Sequence, residues 1–223
     1  MLRFSRIAPR FTLLAVTLLS IAASPHMQAA VPIADARSTS TTVTTIRGTV
    51  TVPAGAFASS TFDQGFALQD DSGGIYVTMT DNAGLTRGRH VRVTGTTGDD
   101  GNGLTVFRVT SVADVRPAIS AADPAPRVVG TGEVGEATEG TLVQVQGAIT
   151  RDPTNDMPYG YSVFVDDGTG ETQVFIPAST GVNPFRLRFA KPGRTVRVTG
   201  FSGQYQSQYE VLPRSLSDIV AVP

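Results

Sequence analysis

The chain has 223 residues, 40% hydrophobic and 17% charged, with 23 Gly, 14 Pro and neither Cys nor Trp. That composition suits one or two small globular domains of short strands and many turns, and it excludes disulfides, a lipoprotein anchor and cysteine chemistry. Against 19 acids, 18 Lys and Arg leave a net charge of −1, which is not the basic surplus of a strong nucleic-acid binder.

Residues 1–30 read as a secretory signal peptide. Arg3, Arg6 and Arg10 precede the apolar run "FTLLAVTLLSIAA" (11–23), and "SPHMQAA" (24–30) ends in small residues. The run is short of the roughly 20 residues a membrane span needs. Cleavage is expected near Ala29 or Ala30. That leaves a periplasmic or secreted chain with no membrane span, and Lys plus Arg falls to 15 against 19 acids. Residues 31–42 read as a flexible mature N-terminus.

Five strands follow. "TVTTIRGTVTV" (42–52) is rich in β-branched residues; "GFALQ" (65–69) and "IYVTMT" (75–80) flank a turn at Asp70-Asp71-Ser72-Gly73-Gly74; "HVRVTG" (90–95) alternates strictly; "LTVFRVTSV" (104–112) follows "TGDDGNG". Alternation puts Ile75, Val77 and Met79 inward and Tyr76 and Thr78 outward. Residues 116–140, with three prolines at 117, 124 and 126, read as a linker, and "TGEVGEATEG" (131–140) as a short helical turn capped by Thr131.

The pattern then recurs. "VQGAI" (145–149) repeats "IRGTV" (46–50), "FVDDGTG" (164–170) repeats "LQDDSGG" (68–74), and "GRTVRVTG" (193–200) repeats "GRHVRVTG" (88–95). The second set of strands is expected at 141–149, 161–165, 172–176, 195–201 and 209–213, with "NPFRLRFA" (183–190) as a short helix or cap. Residues 43–115 and 141–221 are therefore two copies of one module.

Five strands in about 70 residues, with an Asp-Gly hairpin between the second and third, resemble the OB-fold. More narrowly, Gly48 and Val50, Asp70 to Gly74, and Gly88 to Gly95 resemble the bacterial OB-fold domains that accompany secreted nucleases. Gly147 and Ile149, Asp166 to Gly170, and Gly193 to Gly200 repeat that resemblance. The expected fold class is all-β: two tandem five-stranded Greek-key barrels. The resemblance implies binding of nucleic acid or oligosaccharide across the second and third strands and their loops. No catalytic domain of the kind that often accompanies such modules is expected within these residues, so nuclease activity is not carried over.

Asp70 and Asp71 raise the question of a metal or acid–base pair. Adjacent strand residues point apart, and Asp followed by Gly is turn chemistry, so the turn reading is preferred. "DDGNG" (99–103) and "DDGTGE" (166–171) lack the full ligand spacing of a calcium loop. Only His90 remains outside the leader, too little for a zinc site or a histidine-based triad. No catalytic residue, metal site or cofactor is expected. Single strands are held by aromatic platforms beside positive charge. The candidates are Tyr76, Arg92, Phe107 and Arg108 in the first copy, and Tyr159, Tyr161, Phe175, Arg186, Arg188, Arg197, Tyr205 and Tyr209 in the second. The expected ligand is single-stranded nucleic acid, bound weakly and without sequence preference. The alternative is an envelope protein or glycan, which the acidic charge favours. A metal-dependent enzyme using the Asp pairs is a third, lesser reading.

Overall fold

The computed structural model describes residues 29–39, 41–57, 63–119 and 122–223, so the leader reading of 1–30 falls almost wholly outside the described residues. The first copy opens with α1 (Ile33–Arg37) and then runs β1 (Thr44–Val52), β2 (Phe66–Gln69), β3 (Gly74–Thr78), β4 (His90–Asp99), β5 (Thr105–Arg108) and β6 (Val115–Pro117). The second runs β7 (Arg127–Val128), β8 (Leu142–Ile149), β9 (Thr154–Asp156), β10 (Gly160–Asp166), β11 (Thr172–Pro177), β12 (Thr195–Tyr205), β13 (Gln208–Leu212) and β14 (Ile219–Ala221).

Both copies close in the same way. In the first, β1 pairs with β2, β2 with β3, β3 with β5 in parallel, β5 with β4, and β4 returns to β1. In the second, the circuit is β8, β10, β11, β13, β12 and back to β8, again parallel only between its third and fifth strands. Closure removes the free edges that a five-stranded sheet would expose. The chain is an all-β protein of two tandem OB-fold barrels.

The inward face of each barrel is filled by the alternating residues. Ile46, Val50, Leu68, Ile75, Val77, Val91, Val93 and Phe107 make the first core. Val145, Ile149, Val163, Val165, Val174, Ile176, Val196, Val198 and Val211 make the second. Gly48 lets β2 cross close over β1, because a Cβ there would sit 2.5 Å from the Gln69 carbonyl oxygen. Gly147 plays the same part against Asp166.

The repeat extends further than its strands. Residues 31–42, expected to be flexible, are in part docked: Ile33 and Ala36 are buried in the first core, and Val31 bridges in parallel to Ile46. Burial of these two apolar side chains on the barrel favours the docked segment, and hydrogen bonds to its backbone add to it. The second copy has the counterpart, with β7 parallel to β8 and a single helical turn at Thr131–Glu133. Thr131 does not cap that turn; its hydroxyl donates to Asp167 Oδ1 at 2.8 Å. Each copy also ends alike, in a turn of helix (Val112–Asp114, Leu216–Asp218) and an added strand, β6 or β14. The expected linker at 116–140 thus holds parts of both modules. In "NPFRLRFA" the helix is one turn, Pro184–Arg186, capped by Asn183 Oδ1 on the Phe185 N–H at 3.0 Å.

The repeated Asp-Asp turn has a double use. Asp70 Oδ1 accepts from the Ser72 and Gly73 N–H groups at 2.8 and 3.0 Å, which makes the turn. Its Oδ2 accepts from the Ile33 N–H at 3.0 Å, and Ser72 Oγ accepts from the Ala34 N–H, so the turn also caps α1. In the second copy Asp166 makes the turn and Asp167 accepts from Thr131. Hydrogen bonds from Thr169 and Thr131 hold the Asp167 carboxyl well below the usual carboxylate range. These aspartates tie each hairpin to the segment entering its own barrel.

The barrels are joined by a third apolar cluster. Val52, Phe57, Ala67, Tyr76, Leu104 and Val106 of the first meet Phe201 and Leu212 of the second. Polar ties surround it. The Leu142 N–H donates to Gln69 Oε1 at 2.8 Å, Arg214 reaches the Thr51 carbonyl at 3.0 Å, and the Gln206 N–H reaches the Asn102 carbonyl at 2.6 Å. Glu139 is buried where α1, β5 and the second barrel meet. Its Oε1 takes Arg37 at 2.7 Å and the Thr105 N–H at 3.2 Å, while its Oε2 has no partner.

Candidate ligand cleft between the barrels

Where the two barrels diverge, a cleft of about 540 Å³ opens. Its floor is the joining cluster. Phe57 stacks on Tyr76 with centroids 6.1 Å apart, and Phe201 packs against both rings at 6.0 Å. One wall is the outer face of β11 and β13, carrying Gln173, Phe175 and Glu210. Another is the loop between β8 and β10, with Asp156, Pro158 and Tyr159. The β12–β13 hairpin adds Gln204, Tyr205 and Gln208, and the β4–β5 turn adds Asp100 and Asn102. In the second barrel the two loops are those that OB-folds use for ligands, and the wall combines the third strand of the usual binding face with the fifth strand beside it. The matching face of the first barrel is covered by the second.

Several polar groups of the cleft are held. Gln173 Nε2 donates to Ser162 Oγ at 2.9 Å, and Ser162 Oγ donates to Asp156 Oδ2 at 2.6 Å. Asp100 Oδ1 accepts from the Asn102 and Leu104 N–H groups. Glu210 is not held in this way. It is only 8% exposed, and no described side chain or backbone group hydrogen-bonds its carboxyl. Burial alone pushes that carboxyl up to about 8, because desolvation penalises the charged form. At neutral pH it is mostly protonated, so it can both donate and accept toward the cleft. The lining contains three carboxyl residues and no Lys or Arg.

The structure gathers only part of the expected site. Tyr159 and Tyr205 stand 59% and 50% exposed at the mouth, and Phe175 is half-buried in the wall. Tyr76 points out of its own barrel as the alternation requires, but it is 1% exposed because the second barrel covers it. Its hydroxyl donates to the Phe57 carbonyl at 2.9 Å, so it is floor and not an open platform. Phe107 is buried in the first core beside Val77, as β5 turns Val106 toward the partner barrel instead. Tyr161 packs on the second core and meets Phe185 edge-on at 5.8 Å, away from the cleft. Tyr209 is held by the Glu136 carboxylate at 2.9 Å; burial first, and Glu136 second, push its phenol up to about 12. Arg186 and Arg188 are exposed on the β11–β12 connection, and Arg197 on the outside of β12. Arg108 is exposed and donates to the Asp99 carbonyl. Arg92 lies on the outside of β4 between two other arginines. None of these arginines lines the cleft.

Sequence reasoning missed Phe57, Phe201, Gln173 and Glu210. Their role depends on how two barrels dock, which no periodicity within one barrel records. The repeat offered one signal: Glu210 stands at an outward position on a fifth strand, where the first copy has Val106.

No known family profile matches the chain, and no curated protein matches it by sequence. Solved structures similar in shape include a murine DNA-binding protein bound with double-stranded DNA. The match has 14% identity, covers 80% of this chain and 96% of that one, and has a TM-score of 0.43. The hypothetical protein ygiW from E. coli matches at 17% identity over 48% of this chain and 100% of that one, TM-score 0.32. A replication protein A heterotrimer bound to single-stranded DNA matches at 11% identity over 84% of this chain and 50% of that one, TM-score 0.33. Likeness at this level says nothing of a ligand. Fold and cleft define a tandem OB-fold protein with one open OB face.

Proposed function

We propose that the protein is a non-catalytic binding protein that seats bases of single-stranded nucleic acid in the cleft between its barrels. The observation that carries this reading is the convergence of Tyr159, Phe175 and Tyr205 on the one OB face left open. Flat apolar rings at the mouth of an OB face stack bases without regard to sequence. Gln173, Gln204, Gln208 and the protonated Glu210 supply hydrogen bonds to base edges. Asp100 and Asp156 repel phosphate, so bases enter and the backbone stays outside. Export rests on the leader pattern of residues 1–30, and it places this binding outside the cytoplasm.

A glycan is the second reading, favoured by the carboxylates of the lining and its lack of Lys or Arg. Anisotropy titration of a labelled single-stranded oligonucleotide at low salt separates the two. Saturable binding that weakens in Tyr159→Ala and Tyr205→Ala supports the nucleic-acid reading. No binding of the oligonucleotide, with salt-insensitive binding of a neutral oligosaccharide, overturns it.

A further inference from the structure

The outer face of the first barrel carries a feature that the cleft does not use. Arg47 on β1 stands directly opposite Arg92 on β4, and Arg92 directly opposite Arg116 on β6. Residues opposed in antiparallel pairs share a face, and neighbouring strands lie about 4.8 Å apart. Three guanidinium-bearing side chains therefore leave the sheet in one row, roughly 10 Å across on that spacing. Arg47 and Arg116 are exposed, and neither has an ion pair or hydrogen bond with any described residue. No acid flanks the row on these strands. On β1 and β4 the neighbouring positions are Thr45 with Thr94, joined at 2.9 Å, and Thr49 with His90, joined at 3.1 Å. The acids of adjoining segments are Asp114, just before β6, and Asp123, whose carboxylate lies over Gly88.

Like charges placed directly opposite destabilise a sheet, and the fold does not require them. The second barrel is the control. Arg197 is the repeat partner of Arg92, and its cross-strand neighbours are Gln146 and Val220. Only the first barrel puts an arginine at all three positions.

We propose that this row is a second site, which holds phosphates of a nucleic-acid backbone; the choice of that anion rests on the reading of the cleft given above. A guanidinium fork matches phosphate oxygens bidentately; Arg47 and Arg116, the exposed ends of the row, are the forks that take the phosphates, beside a half-buried Arg92 that has a partner of its own. The row lies on the β1–β4–β6 side of the barrel, whereas the cleft takes Tyr76 of β3 and residues 100–104. It is thus separate from the OB ligand face, and it supplies the positive charge that the cleft lacks.

The double variant Arg47→Gln/Arg116→Val copies onto the first barrel the residues the second barrel already uses. It is expected to fold with an unfolding midpoint no lower than the parent's. The experiment titrates a single-stranded DNA oligonucleotide over a series of salt concentrations with the parent, this variant and Tyr159→Ala/Tyr205→Ala. Each phosphate contact contributes about 0.7 to the slope of log K against log salt for single strands, so losing two makes it shallower by about 1.4. The tyrosine variant should bind more weakly with its slope retained. An unchanged slope in the arginine variant overturns the row and leaves the cleft standing. A shallower slope there, with full affinity in the tyrosine variant, supports the row and overturns the cleft. Loss of heparin binding with oligonucleotide binding intact assigns the row to a sulfated glycan and overturns the proposal. No oligonucleotide binding by the parent overturns both sites.

Discussion

Glu210 makes the stability of the protein depend on pH in an unusual direction. Its carboxyl is raised from an ordinary 4.5 to about 8 by burial in the cleft wall. A group whose folded value is raised contributes stability that is fully present below its unfolded value and lost as pH rises through the folded one. The window therefore runs from about pH 4.5 to about pH 8. Each unit of separation corresponds to about 1.4 kcal/mol, so the fall across the window is on the order of 5 kcal/mol. Glu210→Gln keeps the shape and the hydrogen-bonding capacity but cannot ionise. Urea unfolding at pH 5, 6.5 and 8 should show the parent losing stability with rising pH, while the variant stays nearly flat over that range. The gap between them should open upward from pH 5. Parallel profiles would refute the assignment of a buried, unpartnered carboxyl to this wall.

The other expectations concern the joint and the cleft mouth. Glu139→Ala leaves Arg37 beside an emptied, buried site and the Thr105 N–H without its acceptor; a cost of about 3–5 kcal/mol is expected in chemical denaturation. Gly74→Ala puts a Cβ 2.1 Å from the Gly140 carbonyl oxygen, backbone against backbone, and should lower stability by about 1–3 kcal/mol, whereas Gly73→Ala, with open space around it, should not. Tyr159→Ala and Tyr205→Ala should each weaken oligonucleotide binding by about 1–3 kcal/mol per stacked base without changing the unfolding midpoint, since both rings are half or more exposed.

What the sequence made legible was whatever repeats within a single strand or turn. Strict alternation in "HVRVTG" and "TVRVTG" marked Val91, Val93, Val196 and Val198 as core, and all four are buried. The Asp-Asp-Gly stretches read as turns, and their carboxylates do make turns. Alternation also placed Tyr76 outside its barrel correctly, yet it could not show that a second barrel lies there. Phe107 escaped because β5 is four residues long, too short to display its phase. Residues 31–42 read as a flexible N-terminus, and only the landing sites of Ile33 and Ala36 on the barrel reveal that part of it is docked. The cleft was least legible of all. Phe57, Phe201 and Glu210 come from loops and strands far apart in the chain, and they meet where the two modules dock, through the shared apolar cluster and the close backbone approach of Gly74 and Gly140.

The most direct measurement of where a strand binds is photo-crosslinking of an oligonucleotide carrying a photoreactive pyrimidine, read by peptide mapping. Bases seated in the cleft should crosslink to Tyr159, Phe175 or Tyr205. Crosslinks confined to Tyr161, Phe185 or the 186–194 connection, with none in the cleft, would contradict binding at the open OB face.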